Sequence, residues 1–332
     1  MKRIRIVSPL ALLLGALLTT GSATGYVLLI HGQTWNCPPN YTVDQTGIPT
    51  ITDSDGGVSN VIAAISSASD AWNGAGSARI LSAHKGSTAG FTLGDGVPMI
   101  KFGDPLGACL GNCLAATYIV YISQRSPGAD SWQVDDADIV TNLAYNWTSQ
   151  EEDPNGSGCS GEYYIEGVMV HEIGHALGLH HSSAAGATML PSVSSCDNSP
   201  ATTSADDRNG IRALYGTAPC STNVLLSPCS AYTEYLTSGS SQVQPCGGSF
   251  AMSGSGTIKG WVEGPDGTDF DLFLDKLVNG SWLQVWSATS TSSSDSITYS
   301  ATPGTFRFRV TSYSGSGTYH FWYQRPTFLT FP

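Results

Sequence analysis

The stretch HEIGHALGLHH at 171–181 places four histidines, one glutamate and two glycines in eleven residues. His171 and His175 are four apart, so on a helix both project from one face, one turn apart. Two imidazole nitrogens so placed can meet one Zn²⁺ at about 2.1 Å. Glu172 leaves the helix at a different angle. It can reach a metal-activated water rather than the metal itself, as a general base must. Gly178 can take a positive φ, end the helix and turn the chain back towards the metal. A third ligand is then expected just past that turn.

Two neighbours compete for that place, His180 and His181. The spacing H-E-x-x-H-x-x-G-x-x-H puts the last histidine at 181. His181 is therefore assigned as the third ligand. His180 is a bystander or a residue of the substrate cleft. Three neutral histidines leave one coordination position open, the arrangement of a catalytic zinc site rather than a structural one. A histidine-rich helix can arise by chance, but the added glycine and third histidine make the pattern specific.

The elements that must position these groups are legible in outline. The segment leading into 171–179 is a strong helix candidate. Val61, Ile62, Ile65, Ala68 and Trp72 in 58–73 recur at helical spacing, with a polar opposite face. Segments 78–81, 98–103, 114–122 and 136–142 read as strands, and 149–161 as a Gly/Asp/Ser-rich loop. Ser204 can cap a last helix whose first turn holds Asp206 and Asp207. Beyond residue 218 the texture changes to short strands at roughly ten-residue spacing, with alternation clearest in Phe306 to Val310. That predicts a β-sandwich. The division expected is 1–25 signal peptide, 26–217 catalytic domain, 218–224 linker and 225–332 sandwich.

Composition bounds the partners. Charged residues make up 12% of the 332 residues and the net charge is −12, which argues against nucleic acid. Lys2, Arg3 and Arg5 precede an apolar run at 9–18 and small residues at 19–25. This is the layout of a signal peptide, with cleavage after Ala23 or Gly25. The expected product is a secreted, extracellular monomer with no membrane association after cleavage. All eight cysteines lie beyond that segment, an even number suited to disulfides. The pairs expected first are Cys109–Cys113, Cys159–Cys196 and Cys229–Cys246. Cys109 and Cys113 could also be half of a zinc site, but no second pair at ligand spacing lies nearby.

The 171–181 motif resembles that of the metzincin metalloproteases, and its surroundings resemble the matrixin branch. Met189 sits where that family has a methionine in a tight turn beneath the metal. Ser182 follows the third histidine, 136–142 resembles the acidic strand, and Asp206, Asp207 and the closing Leu-Tyr-Gly resemble the final helix. The resemblance covers roughly 35–216. It implies an α+β zincin-like domain with a twisted, mostly parallel five-stranded sheet and one antiparallel edge strand. It implies one catalytic Zn²⁺ on His171, His175 and His181, with Glu172 as general base. Peptide substrate would pair along the edge strand, for which 114–117 is the candidate, with Leu114, Ala115 and Ala116 as the pairing residues. An ordinary core strand is an equal reading of that segment.

Two departures from the family stand out. His84 is the only histidine between 32 and 170, so a histidine-built second zinc is not expected. Acidic loops such as 53–57 are candidate structural Ca²⁺ sites, although such turns are more often simply solvated. The family's helical prodomain has no room before Cys37. Cys37 is read as a structural disulfide cysteine, with a minimal metal-blocking thiol as the alternative.

The segment 225–325 resembles the pre-peptidase C-terminal domain of secreted bacterial hydrolases, with Asp269 and Asp271 flanking Phe270. Trp261, Trp282, Trp286 and Trp322 read more readily as sandwich core than as a binding surface. The function expected is a secreted zinc endopeptidase acting on proteins or peptides. The alternative is a non-catalytic binding or adhesion protein on the same scaffold, whose usual sign, a lost ligand or lost Glu172, is missing.

Overall fold

The computed structural model describes residues 2–6, 11–12, 25–29, 34–39, 41–48, 58–75, 85–87, 91–122, 133–149, 159–220 and 229–326. Much of the expected signal peptide, strand 78–81 and the acidic loop 53–57 fall outside these ranges. No helix among the described residues is long and apolar enough to cross a membrane.

Helix α1 spans Val58–Ala75. Val61, Ile65, Ala68 and Trp72 form its stripe and are all fully buried. Helix α2, Ile165–Ala176, buries every residue except Glu166. A helix buried on all sides lies inside the domain. Trp72 joins the two helices by donating its indole N–H to the Val170 carbonyl at 2.7 Å. Helix α3, Ala205–Tyr215, starts with a full capping box: Ser204 and Asp207 exchange side-chain and backbone bonds.

The sheet over these helices has six strands: β1 (Lys2–Ile6), β2 (Thr42–Asp44), β3 (Lys85–Ser87), β4 (Met99–Phe102), β5 (Ala115–Ile122) and β6 (Gln133–Thr141). Their order is β1-β5-β6-β4-β2-β3. Strands β3, β2, β4 and β6 run parallel, and β5 runs antiparallel to β6. The sheet thus has six strands where five were expected: β1 lies antiparallel along β5, from Lys2 opposite Ile122 to Ile6 opposite Tyr118. The reason is the open ladder edge of β5, which templates any extended segment brought beside it.

The remainder is a two-sheet sandwich. One sheet has the order β7-β15-β10-β13, built from β7 (Cys229–Leu236), β10 (Gly256–Glu263), β13 (Ser294–Ala301) and β15 (Gly317–Gln324). The other has the order β8-β14-β11-β12, built from β8 (Ser241–Gln244), β11 (Asp269–Val278), β12 (Ser281–Ala288) and β14 (Gly304–Ser314), and β9 (Phe250–Met252) also pairs with β14. Phe306, Phe308 and Val310 alternate into the core, as period two requires. Of the four tryptophans expected inside, only Trp322 is fully buried; Trp286 is 51% exposed. Trp282 instead lies beneath the Arg307 guanidinium, 4.3 Å from ring centre to carbon.

All eight cysteines are paired. Cys109–Cys113 and Cys159–Cys196 form as expected. The expected Cys229–Cys246 pair does not. Cys229 bonds Cys220, and Cys246 bonds Cys37 across 209 residues. The turn holding Cys246 lies against the N-terminal segment, where Asn36 also donates to Glu234 at 3.2 Å. Cys37 therefore offers no thiol to block a metal. The core of the first unit also continues into the second: Cys229, Ala231 and Trp322 belong to the same buried cluster as α1 and α2.

Candidate metal centre

Helix α2 carries His171, Glu172 and His175. Leu177 is its C-cap, and Gly178 follows with φ 108°, a conformation that favours glycine. The turn brings Leu179 and His180 into a two-residue antiparallel pairing with Val27–Leu28. His181 then returns towards the helix. Its ring centre lies 5.2 Å from that of His171 and 4.8 Å from that of His175.

The tautomers follow from the partners. Nδ1 of His171 lies 2.8 Å from the Thr188 carbonyl, and Nδ1 of His175 lies 2.9 Å from the Leu179 carbonyl. A carbonyl can only accept, so both Nδ1 atoms carry the proton and both Nε2 atoms present a lone pair. Nε2 of His171, His175 and His181 are all buried without a hydrogen-bond partner. The ligand nitrogens of the three residues lie within 4.8 Å of one another. Three orphaned ring nitrogens converging on one point are costly unless a cation fills it. The donor set suits zinc. Burial pushes the imidazoles down, His171 to about 3, His181 to about 4 and His175 well below the ordinary value. The neutral, ligating form is thus the resting form.

His180 points elsewhere. Its Nδ1 accepts the His181 backbone N–H at 2.6 Å, which fixes the turn before His181.

Glu172 is fully buried, and burial raises its carboxyl to about 8. One oxygen, Oε2, accepts from the Thr117 hydroxyl at 2.6 Å. The other, Oε1, has no partner. Thr117 lies in the 114–117 segment read as the edge-strand candidate, but that reading gives its hydroxyl no role, although a signal exists. Strand alternation puts it on the face of Ala115 and Ile119, which pack into the core shared with α2. The three candidates Leu114, Ala115 and Ala116 are themselves fully buried, and Ala116 faces the small cluster around Cys109 and Cys113.

Beneath the centre, Met189 is buried with its sulfur against Gly174. Asp207 holds this turn: its carboxylate accepts from the backbone N–H of Thr188 at 2.9 Å, Met189 at 3.2 Å and Ser204 at 2.8 Å. Asp206 accepts from the Ser182 hydroxyl at 2.7 Å. A cavity of about 90 Å³ opens beside His171, walled by Thr188, Leu190, Val193 and Pro200. The far end of α2 is tied down from a distance. Trp35 donates to the Ala176 carbonyl at 2.8 Å, and the Tyr215 hydroxyl to the Leu177 carbonyl at 2.9 Å.

Residues 124–216 match the matrixin family model. That segment of the chain is similar to the matrixins. Stromelysin-1 of Mus musculus is 50% identical over 62 residues, 18% of this chain and 13% of that protein. Metalloendoproteinase 5-MMP of Arabidopsis thaliana is 49% identical over 55 residues, 17% of this chain and 15% of that protein. The match thus spans a small part of each relative's length. A solved pre-peptidase C-terminal domain of a collagenase from Bacillus anthracis aligns with 28% of this chain and 87% of its own. That alignment has 18% identity and a TM-score of 0.24, a score that carries no argument. The matrixin segment contains all three histidines, Glu172, Met189, Asp206 and Asp207.

Proposed function

We propose that this chain is a secreted zinc endopeptidase, with His171, His175 and His181 holding the metal and Glu172 as general base. The observation that carries the reading is the convergence of three unpartnered Nε2 atoms, with a buried carboxyl bearing one unpartnered oxygen on the helix that carries two of them. Bound there, Zn²⁺ would supply Lewis-acid polarisation of the scissile carbonyl and of the attacking water. Glu172 takes the water's proton on Oε1 and passes it to the leaving amine. The low-dielectric surroundings that raise its carboxyl make it a competent donor in the second half of that exchange.

The substrate is an extended peptide. In support, Lys2–Ile6 lies antiparallel along β5, and Ala11–Leu12 pairs in parallel with Ser192–Val193 beside the cavity. These two described segments each pair through the main chain, and a substrate peptide pairing in the same way would leave its side chains to be read by pockets. Residues 1–25 serve as the export signal, and the sandwich beyond 225 remains attached through Cys37–Cys246.

The test is direct. Purified protein is assayed for zinc per chain and for casein or gelatin cleavage, with and without a chelator, and again as Glu172→Gln. One zinc per chain, and cleavage abolished by both treatments, is expected. Cleavage that survives both refutes the mechanism, and one zinc with no cleavage refutes the peptidase reading.

A further inference from the structure

We propose that Thr117 is a positioning residue for Glu172, fixing which carboxyl oxygen is free to exchange a proton. This rests on the peptidase reading above. Thr117 and Glu172 are both fully buried. The Thr117 hydroxyl lies 2.6 Å from Oε2 of Glu172 and 3.0 Å from the same residue's backbone carbonyl. One side chain thus holds both the backbone and the carboxyl of the same residue. A hydroxyl carries a single proton, and in the ionised form of Glu172, the form that acts as base, the shorter contact to the carboxylate takes it.

The anchor is stiff. Thr117 sits inside β5, opposite Ile139 of β6. Its Cβ is branched, so χ1 is restricted, and full burial leaves little room for another rotamer. With Oε2 engaged, Oε1 is the only carboxyl oxygen left without a partner. The proton that Glu172 takes from water therefore lands on Oε1 and leaves from Oε1, with Oε2 still bonded to Thr117. Without the donor, the carboxyl is free to rotate about its last torsion, and neither oxygen is assigned. Nothing else among the described residues bonds this carboxyl, so no second donor substitutes.

The experiment compares Thr117→Val, which keeps shape and removes the hydroxyl, with Thr117→Ser, which keeps the hydroxyl. A hydrogen bond to a charged group of this kind converts to about 10- to 100-fold in rate. Thr117→Val is expected to lower kcat by about that factor, with KM within about 2-fold and zinc per chain unchanged. Thr117→Ser restores kcat to within about 3-fold. Crystal structures of the zinc-free variants give a readout independent of turnover: the Glu172 carboxylate leaves its place in Thr117→Val and keeps it in Thr117→Ser. If Thr117→Val does not fold, Thr117→Ala carries the same comparison. Unchanged kcat in Thr117→Val, a serine variant as impaired as the valine one, or a carboxylate that stays in place overturns the proposal. A parent protein that binds zinc but cleaves nothing sinks the peptidase reading instead, and the crystal structures then judge Thr117 alone.

Discussion

Gly174 stands between Glu172 and His175, the proposed base and second ligand, and replacing it with alanine sets two known effects against each other. Alanine in a helix interior is favoured over glycine by about 1 kcal/mol. By that rule Gly174→Ala stabilises the protein. The packing says the reverse. A Cβ built on Gly174 comes within 2.7 Å of Trp72 Cζ2 and closer still to Met189 Sδ. Carbon atoms in contact sit about 3.5–4.0 Å apart, so roughly 1 Å must be found. Met189 can bend, but Trp72 is fully buried and its indole N–H is bonded to Val170 on α2 itself. The two helices must therefore move apart. Overpacking of this kind costs about 1–3 kcal/mol, more than the propensity gain at its upper end. The displacement falls on the helix that holds His171 and His175 and on the methionine beneath them. A misplacement of about 1 Å is enough to cost on the order of 100-fold in rate. The expected result is a lower urea midpoint for the zinc-free protein with disulfides intact, weaker zinc binding in a competition titration, and loss of most peptidase activity. A variant that is more stable by about 1 kcal/mol and fully active would refute the packing argument.

Four further outcomes are expected. Asp207→Asn puts an amide where three backbone N–H groups now donate. It should cost about 3–5 kcal/mol of unfolding free energy and weaken zinc binding about 10- to 100-fold, both read by titration. His181→Ala should lose zinc and activity, while His180→Ala, which removes the acceptor of the His181 backbone N–H but lies outside the three-histidine cluster, should keep one zinc per chain by elemental analysis. Asp138 is held up at about 8 by burial and by the charge of Asp136. Its folded value exceeds its unfolded value of about 3.9, so its contribution to stability is full below about pH 4 and lost as pH rises through about 8. Asp138→Asn should flatten that fall in melting midpoints measured from pH 4 to 9. A protease cut anywhere in 221–228 should leave two pieces joined by Cys220–Cys229 and Cys37–Cys246, separating on a gel only after reduction.

The sequence fell short where contacts are long-range. Cysteine pairing depends on which loops meet, and Cys37 meets Cys246 only because the N-terminal segment packs against the sandwich. The tryptophans of the second unit were read as core because strand alternation does not say which sheet face is covered. Trp286 lies on β12, at the end of its sheet, and is half exposed. The edge-strand candidates were chosen for pairing with a substrate, and the sequence did not single out Thr117 among them. Leu114, Ala115 and Ala116 are small or apolar and bury themselves, while the neighbouring hydroxyl of Thr117 reaches Glu172.

By itself, the sequence determined what depends on local geometry. Spacing along one helix put His171 and His175 on a common face. The glycine at 178 ended that helix, and the serine at 204 began the last one, because caps and turns are decided within a few residues. Only the tertiary structure decided what completes the centre. It brought carbonyls from Thr188 and Leu179 to set the tautomers, Asp207 to hold the turn under the metal, and Thr117 to choose the free oxygen of Glu172. It also brought Trp35 and Tyr215 from 141 and 38 residues away to satisfy the last carbonyls of α2. Those partners are fixed by which surfaces pack together, and no local pattern encodes them.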